Sequence, residues 1–193
     1  MQWVEDCTKE NPEWKPLGYI DDNPEALLGL KSDYPLLGSI TDWQPQKDEL
    51  YVCGIAAPQV KRRIISNLKS KGAVFTAVIH PTAIMAPTAD IGEGVVLCPY
   101  SAVNDNAIIG DFVLVNMHSS VTHDAKVGAY STLSYYCGIN GKVTLGEEVF
   151  LGSHALIVPG VTVGDRAFLC AGSVVLGDIA PGIKVIGNPA KEK

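Results

Sequence analysis

Hydrophobic residues recur at every sixth position over most of the second half of the chain. From Ile79 to Val175 the first place of each hexad is Ile, Leu, Val or Met. The fifth place is Ala, Val, Ser or Cys, except in the last hexad, where it is Ile179. A large inward residue followed four places later by a small one suits a flat strand that ends in a tight corner. The pattern predicts a three-sided parallel β-helix with one coil for every three hexads. Coils of this hexad type wind left-handed, against the usual crossover rule.

The first 78 residues lack this repeat and predict a different kind of structure. Short apolar runs at residues 17–20, 50–55 and 75–79 predict three strands, and residues 60–69 have the periodicity of a helix. Strand, loop, strand, helix, strand is the order of a small parallel α/β sheet of the Rossmann-like kind. We therefore expect two domains, an α/β subdomain over residues 1–78 and a β-helix domain with a C-terminal cap loop over residues 79–193.

The composition narrows the classes of function. The formal net charge is −6, which argues against binding of nucleic acid because such proteins carry basic patches. No apolar run approaches the roughly 20 residues of a membrane span, and the acidic start does not resemble a secretory signal. The five cysteines form no close-spaced pair, which favours reduced thiols and a cytoplasmic location.

One polar pair in the β-helix region is a candidate for chemistry. His123 and Asp124 hold the third and fourth places of their hexad, which face away from the core, and Gly141 lies one coil later. A glycine at that height leaves its backbone N–H open to a ligand. A base beside an open backbone donor is the minimum that acyl transfer requires. The alternative interpretation is that the pair is ordinary solvated surface.

A longer ordered set of motifs resembles a known family. It comprises residues 18–23 (GYIDDN), 79–83 (IHPTA), 116–124 (NMHSSVTHD), 127–128 (VG), 138–141 (GING), 145–147 (LGE), 150–152 (FLG) and 187–191 (GNPAK). The set spans nearly the whole chain. It resembles the bacterial sugar acetyltransferases that act on nucleotide-linked amino sugars (the bacillosamine type) and the sialic acid O-acetyltransferases.

The resemblance implies an acetyl-CoA-dependent acetyltransferase with His123 as the general base. Asp124 would orient the imidazole, and the backbone N–H of Gly141 would stabilise the thioester oxygen as negative charge develops. The acceptor would be the amino group of a nucleotide-linked sugar. Transfer to a hydroxyl of sialic acid or another sugar is the alternative.

The resemblance also assigns binding roles. Asn116 matches a position that contacts the sugar near its reacting group, and Asp21 and Asp22 match residues of the nucleotide-sugar site. Acetyl-CoA would pass along the prism beside Thr132, Ser153, Ala171 and Lys191. Known members are homotrimers with clefts between neighbouring prisms, so we expect a homotrimer. The resemblance implies no metal.

The chain departs from the family pattern at three places. Relatives carry a second histidine nine residues after the base, where this chain has Thr132, and often a glycine where it has Ala56. The family also begins with a strand and a glycine-rich turn, whereas residues 1–7 resemble the middle of the helix that follows that turn. We therefore expect a recorded start downstream of the true one, with weak binding of a nucleotide sugar and retained binding of acetyl-CoA. The alternatives are a first domain that folds with a gap in its sheet and one that has lost its sugar-nucleotide site.

Two interpretations from other classes stay open. A zinc site of the γ-carbonic anhydrase kind would use His118 and His123, which are five residues apart. Its third ligand should lie two coils before His118, where the chain has Thr82, and the nearest histidine, His80, is two residues out of phase. The other alternative is a non-catalytic trimeric scaffold that displays the first domain.

The remaining candidate side chains have structural interpretations. We expect His118 to fill a subunit interface, His80 to lie at the domain junction and His154 to line a cleft or face solvent. Cys137 occupies a small-residue corner, which favours burial over nucleophilic use. Lys61-Arg62-Arg63 is interpreted as the exposed face of a helix.

Overall fold

A small α/β region precedes a long β-helix in the computed structural model, which describes residues 2–193. The α/β region contains helix α1 (Gln2–Thr8), strands β1 (Tyr19–Ile20), β2 (Leu36–Gly38) and β3 (Leu50–Tyr51), helix α2 (Pro58–Ser70) and strand β4 (Val74–Phe75). Neither helix in the described residues is long and apolar enough to cross a membrane.

Three parallel sheets, here called faces 1, 2 and 3, form the sides of the β-helix. Face 1 contains β5 (Val78–Ile79), β8 (Val96–Leu97), β11 (Leu114–Val115), β14 (Thr132–Leu133), β17 (Phe150–Leu151), β20 (Phe168–Leu169) and β22 (Lys184–Ile186), with β23 (Lys191–Glu192) antiparallel at its end. Face 2 contains β6 (Ile84–Met85), β9 (Ala102–Val103), β12 (Ser120–Val121), β15 (Gly138–Ile139), β18 (Leu156–Ile157) and β21 (Val174–Val175). Face 3 contains β7 (Asp90–Ile91), β10 (Ile108–Ile109), β13 (Lys126–Val127), β16 (Thr144–Leu145) and β19 (Thr162–Val163).

Two of the three corners carry most of the candidate site residues of the β-helix. Corner A joins face 1 to face 2 and consists of residues 80–83, 98–101, 116–119, 134–137, 152–155 and 170–173. Corner B joins face 2 to face 3 and consists of residues 86–89, 104–107, 122–125, 140–143, 158–161 and 176–178. Corner C joins face 3 back to face 1.

The register of the coils follows the predicted repeat. Each strand pairs in parallel with the strand one coil later, as Ser120 does with Gly138 and Val121 with Ile139. The first-place residues fill the interior, and the small fifth-place residues pack beside them in one continuous core. The predicted three-sided parallel β-helix is confirmed, and neighbouring coils are stacked about 4.8 Å apart.

The corners have a backbone feature that the hexad pattern does not reveal. At the fourth place, a series of residues other than glycine adopts the left-handed conformation, among them His118 (φ 59°) and Asp124 (φ 60°). Each such residue costs roughly 1 kcal/mol. Burial of each first-place side chain contributes about 1.5–3 kcal/mol, which offsets that cost.

The α/β region differs from the predicted single sheet. Strand β1 pairs in parallel with β2, and β3 pairs in parallel with β4, so the region has two separate two-stranded sheets. The sequence pattern does not predict β2, because its apolar run is only two residues long. The predicted strand over residues 75–79 is divided into β4 and β5, which belong to different sheets.

Helix α2 attaches this region to the β-helix through a second core. Ile65 and Leu68 are buried against Phe75 and Phe112. The rings of Phe75 and Phe112 meet edge to face, with centroids 5.3 Å apart. A residue of corner C therefore completes the core of the α/β region.

The interpretation of Lys61-Arg62-Arg63 as an exposed helix face is wrong for Lys61. Lys61 is only 1% exposed. Its Nζ donates to the carbonyl oxygen of Ser131 at 3.2 Å and to the hydroxyl of Thr132 at 3.0 Å. Arg62 forms ion pairs with two adjacent glutamates of corner C. The Arg62 side chain is still 43% exposed and Arg63 faces solvent, so α2 buries only Lys61 of the three cations against the β-helix.

The α/β region covers only part of face 1. Near the first coils, Trp3 of α1 packs against Val96 and Leu114. Further along the prism the rings of Phe150 and Phe168 stack with centroids 4.8 Å apart, and Phe168 is 40% exposed. The last coils of face 1 are therefore open in the single chain.

Candidate active site

The His123–Asp124 pair lies at corner B, where two adjacent side chains project from one coil. Nδ1 of His123 and Oδ2 of Asp124 are 2.9 Å apart, which is a hydrogen bond. The His123 side chain is 61% exposed, so a ligand can reach the ring. The predicted acid–base pair is thus in direct contact.

Asp124 is held by the preceding coil. Its backbone N–H donates to the carbonyl oxygen of Asp105 at 3.0 Å, and its Oδ1 accepts from Nδ2 of Asn106 at 3.3 Å. The hydrogen bond with His123, followed by that from Asn106, lowers the pKa of Asp124 below its usual value. An ionised Asp124 favours the tautomer with the proton on Nδ1, which we infer from the hydrogen bond, and leaves Nε2 of His123 able to accept a proton.

Gly141, one coil later, lies against the free side of the imidazole. A Cβ added to Gly141 would be 2.5 Å from Nε2 and 2.6 Å from Cε1 of His123, so any larger residue would displace the ring. The backbone N–H of Gly141 has no hydrogen-bond acceptor among residues 2–193. A proton acceptor and an unpaired backbone donor therefore lie in neighbouring coils, which are stacked about 4.8 Å apart.

The thiol nearest in sequence to this site is not available as a nucleophile. Cys137 is 1% exposed, and burial raises the pKa of its thiol to about 11. A buried, protonated thiol cannot form an acyl intermediate. The predicted burial of Cys137 is confirmed, and the geometry of corner B suits direct transfer of an acyl group.

Three of the predicted binding residues lie at corner A. Ser153 and Ala171 hold the same place in successive coils, and the Oδ1 of Asn116 accepts from the N–H of Met117 at 2.9 Å. Face 2 lies between these residues and His123. A single chain therefore does not bring Asn116, Ser153 or Ala171 to the acid–base pair.

Thr132 lies elsewhere, on face 1 beneath α2. It is completely buried, and its hydroxyl accepts a hydrogen bond from Lys61. A side chain covered in this way has no surface for a ligand, so the prediction that Thr132 contacts acetyl-CoA is wrong. Lys191 is exposed in β23, at the far end of face 1.

Asp21 and Asp22 lie in the loop after β1, in the α/β region. Oδ1 of Asp21 accepts from the N–H of Asn23 at 2.8 Å. Oδ1 of Asp22 accepts from the hydroxyl of Ser39 at 2.7 Å and from the N–H of Thr41 at 2.8 Å. The bond from Ser39, the largest cause, lowers the pKa of Asp22. Both carboxylates therefore shape their loop through hydrogen bonds to Oδ1.

Corner A carries a feature that the hexad pattern does not predict. The fourth-place residues Tyr100, His118, Tyr136 and His154 form an aromatic ladder, with ring centroids 5.1, 4.8 and 4.9 Å apart in successive coils. Aromatic residues spaced one coil apart were the signal in the sequence. The ladder places His118 and His154 in ring stacks on the surface of the single chain.

The other histidines bear on the alternative interpretations. Nδ1 of His80 is 2.8 Å from the Thr82 hydroxyl, and its Nε2 is 3.3 Å from a carboxylate oxygen of Asp6 in α1, which confirms its place at the domain junction. His118 and His123 lie at different corners. Within residues 2–193 no group of three or more His, Cys, Asp and Glu side chains is placed to hold a metal ion.

Two cavities of the single chain lie away from His123. One, of about 400 Å³, is lined by Trp43 and Glu49. The other, of about 460 Å³, lies between the start of α2 and Phe168. The acid–base pair is exposed at corner B, outside both of these cavities.

Comparisons with known proteins agree with this fold. A family model described as the hexapeptide repeat of succinyl-transferase matches residues 142–176. A search of curated protein sequences found no match. Among solved structures, PerB from Caulobacter crescentus, crystallised with CoA and GDP-perosamine, is 29% identical with a TM-score of 0.87, over 100% of this chain and 91% of PerB.

Two further structures are similar over the whole chain. The acetyltransferase domain of PglB from Neisseria gonorrhoeae FA1090, solved with acetyl coenzyme A, is 26% identical with a TM-score of 0.87, over 100% of this chain and 93% of that one. WeeI from Acinetobacter baumannii AYE is 27% identical with a TM-score of 0.88, over the same two shares. The hexapeptide repeat and this full-length likeness make the chain a left-handed β-helix acyltransferase, built like the bacterial sugar acetyltransferases.

Proposed function

We propose that the chain transfers an acetyl group from acetyl-CoA to the amino group of a nucleotide-linked amino sugar. The observation that carries the proposal is the position of Nε2 of His123 against Gly141, whose N–H is unpaired, with Asp124 bonded to Nδ1. PerB, which shares the fold over the whole chain, was crystallised with CoA and GDP-perosamine, and this supports an acceptor of that class.

His123 and Gly141 divide the chemistry of the transfer. Nε2 of His123 takes a proton from the attacking amine as its nitrogen forms a bond to the thioester carbonyl carbon. The N–H of Gly141 donates to the carbonyl oxygen as that oxygen gains negative charge. When the carbon–sulfur bond breaks, the imidazolium returns the proton to the leaving thiolate. Asp124 stabilises the imidazolium during both steps.

The two parts of the chain would bind different ends of the substrates. We assign the nucleotide sugar to residues 1–78, with Asp21 and Asp22 at its site, and acyl transfer to residues 79–193. Ser153 and Ala171 are small residues at a corner, so an extended thiol chain has room beside them. Lys191 would place a positive charge near the nucleotide end, and Asn116 would hold the acceptor sugar.

We also propose that the working form is a homotrimer, as the family resemblance implies. The acid–base pair stands on an open corner, and Asn116, Ser153 and Ala171 lie at a different corner of the same chain. Association of prisms is a way to bring the two corners together.

The test is release of the CoA thiol over a panel of GDP-, UDP- and dTDP-linked amino sugars and sialic acid. We expect turnover with an amino sugar, and His123→Ala should lower it by at least about a hundredfold, because a general base contributes about 10²–10⁴ in rate. Lys126→Ala, an exposed change on face 3 of the next strand, should match the wild type.

Two results would contradict parts of the proposal. Turnover with sialic acid alone would replace N-acetylation with O-acetylation. Turnover by His123→Ala within about tenfold of wild type would remove His123 from the role of general base.

A further inference from the structure

One side of the prism carries no formal charge. Face 2 and corner A together consist of six segments of six residues, 80–85, 98–103, 116–121, 134–139, 152–157 and 170–175, and none contains Asp, Glu, Lys or Arg. Such residues make up 19% of the whole chain. Since surfaces of single proteins are normally rich in charge, this region has the composition of the core of a protein–protein interface.

The rest of the prism has the opposite character. Face 3 presents Asp90 and Lys126 to solvent, and corner C carries acidic residues in four of its five coils. The first coils of face 1 are covered by the α/β region. Of the three sides, face 2 is therefore the one that is both open and free of charge.

Large apolar and aromatic side chains are exposed on this uncharged side. Ile84 is 68% exposed, Tyr100 58%, Tyr136 51% and Leu156 37%. The aromatic ladder forms a ridge along corner A, with one ring per coil. Aromatic residues without neighbouring charges are typical of the buried centre of an interface.

The spacing of the ladder points to a second copy of this chain as its partner. The rings repeat at 4.8–5.1 Å. Another β-helix presents its coils at about the same spacing of 4.8 Å, so the ridge and the coils stay in step along the whole contact. Corner B offers such coils, and several of its positions have little side-chain bulk, namely Gly141, Pro159, Gly160 and Gly177.

We propose that the aromatic ladder of one copy lies along corner B of the next and supplies the wall of the acceptor site opposite His123. This inference rests on the proposed function and its three-fold association. If three prisms turn face 2 toward a common axis, corner A of each adjoins corner B of its neighbour, and each contact is heterologous.

The height along the prism decides which rung meets which residue. A rotation about the three-fold axis does not move a residue along that axis, so equivalent residues of the three copies lie at the same height. Each ring of the ladder precedes a corner B residue of its own chain by five places of an 18-residue coil. That offset is about 1 Å of rise along the axis. His118 of one copy is therefore level with His123 of the next, and Tyr136 is level with Gly141.

The ladder then has a role in substrate selection. Flat rings beside His123 would stack against the apolar side of a sugar ring, while the Tyr136 hydroxyl is level with the amide of Gly141. Asn116, which shares corner A with the ladder, would reach the same site from the same copy. The open position of His123 in the single chain follows, because half of the site's wall belongs to the neighbour.

Disulfide bridging tests the contact without any need for activity. His118→Cys combined with His123→Cys, oxidised with copper phenanthroline, should give a covalent trimer on a non-reducing gel. Within one chain the two positions are at opposite edges of face 2, too far apart for a bridge. Each single variant should stay unlinked and so controls for the native cysteines. His154→Cys with Pro159→Cys is a second pair, one that leaves His123 intact.

Charge insertion tests which side forms the contact. Ser120→Asp places a charge on face 2, and Thr144→Asp places one on face 3. Light scattering should give three times the chain mass of 20.6 kDa for wild type and Thr144→Asp, and a smaller mass for Ser120→Asp.

Mixed trimers test the catalytic contribution. A His123→Ala copy and a Tyr136→Ala copy, each at least tenfold less active alone, are co-expressed with different tags. Random mixing should restore about a quarter of the sites, because a heterologous contact can pair an intact His123 with an intact ladder. If the ladder served its own chain, no intact site could form.

The outcomes separate this inference from the proposed function. Covalent trimers from the double variants alone, together with recovery in the mixtures, are the expected result. Absence of both bridges in a folded protein, or trimers of Ser120→Asp, would overturn the contact. Bridges without recovery would overturn the role in substrate selection. If the wild type turns over no acceptor, the proposed function fails while the bridges still decide the contact.

Discussion

A fully buried lysine joins the α/β region to the β-helix. The Nζ of Lys61 bonds only to neutral acceptors, Ser131 and Thr132, and burial lowers its pKa to about 8 from the ordinary value of 10.5. Because the folded pKa lies below the unfolded one, the fold favours the neutral amine. The charged Lys61 therefore lowers the free energy of unfolding by about 3 kcal/mol below pH 8, and this loss vanishes as the pH rises to about 10.5.

Replacing this lysine should therefore change stability in a pH-dependent direction. Lys61→Met removes the cost of burying the charge but also loses hydrogen bonds that contribute about 1 kcal/mol. We expect the variant to be more stable than wild type by about 2 kcal/mol at pH 7 and less stable by about 1 kcal/mol near pH 10.5. Urea unfolding at the two pH values measures the difference.

The neighbouring Arg63 provides the control, because it is exposed on the same helix. Arg63→Met should leave the free energy of unfolding within about 0.5 kcal/mol of wild type at both pH values. A Lys61→Met variant that is destabilised equally at pH 7 and pH 10.5 would contradict a buried charge at that position.

At the scale of the element, corner B is a stack of short turns in which Gly141, having no side chain, leaves space for the imidazole of His123. Gly141 has an ordinary negative-φ backbone, so its value lies in the space it leaves for His123. Gly177 lies two coils later at the same place, with open space around it. The two glycines therefore separate a steric effect on the ring from a general effect on the corner.

Gly141→Ala should lower turnover while leaving the fold intact. The added methyl group would lie 2.5 Å from Nε2, so the imidazole must move. A displacement of about 1 Å from the productive geometry costs about a hundredfold in rate. Gly177→Ala should keep wild-type turnover, with unchanged circular dichroism for both variants. Equal activity of the two variants would show that the position of the ring is not critical.

The elements differ in how far the sequence predicts them. The hexad period determines which side chains enter the core, so the β-helix and the outward position of His123 and Asp124 follow from spacing alone. The burial of Lys61 and Thr132 depends on how α2 docks against face 1. That docking joins residues about 70 apart in the chain, and no local period records it.

The site residues divide in the same way. The contact between His123 and Gly141 is predictable because one coil separates them. The hydrogen bond from Asn106 to Asp124 is not predicted, although the two residues also lie one coil apart. It depends on the left-handed backbone of the fourth place, which the hexad pattern does not reveal. The ladder is missed because it looks like scattered aromatic residues until coils are stacked.

At the scale of the whole molecule, the β-helix is a stack of equivalent coils that contact only their neighbours. Stability in such a structure is close to a sum over coils and their interfaces. The hexad phase, and not the number of coils, should then decide whether the chain folds.

Deleting one whole coil tests this expectation. Removing residues 152–169 joins positions that are equivalent in the repeat, so β15 would pair with β21, and we expect a folded protein with a lower melting temperature. Removing only residues 152–160 shifts the hexad by half a period and turns first-place residues outward, so we expect loss of the folded state. Circular dichroism during heating compares the two, and a folded nine-residue deletion would refute the role of the phase.

The docking of the α/β region on face 1 also decides what optical methods can see. All three tryptophans, Trp3, Trp14 and Trp43, lie in the first 78 residues, and Trp3 is packed directly on face 1. Intrinsic tryptophan emission is therefore a probe of one half of the chain and of its attachment, while far-ultraviolet dichroism is dominated by the coils. Noncoincident curves from the two probes would reveal that the halves separate before the prism itself comes apart.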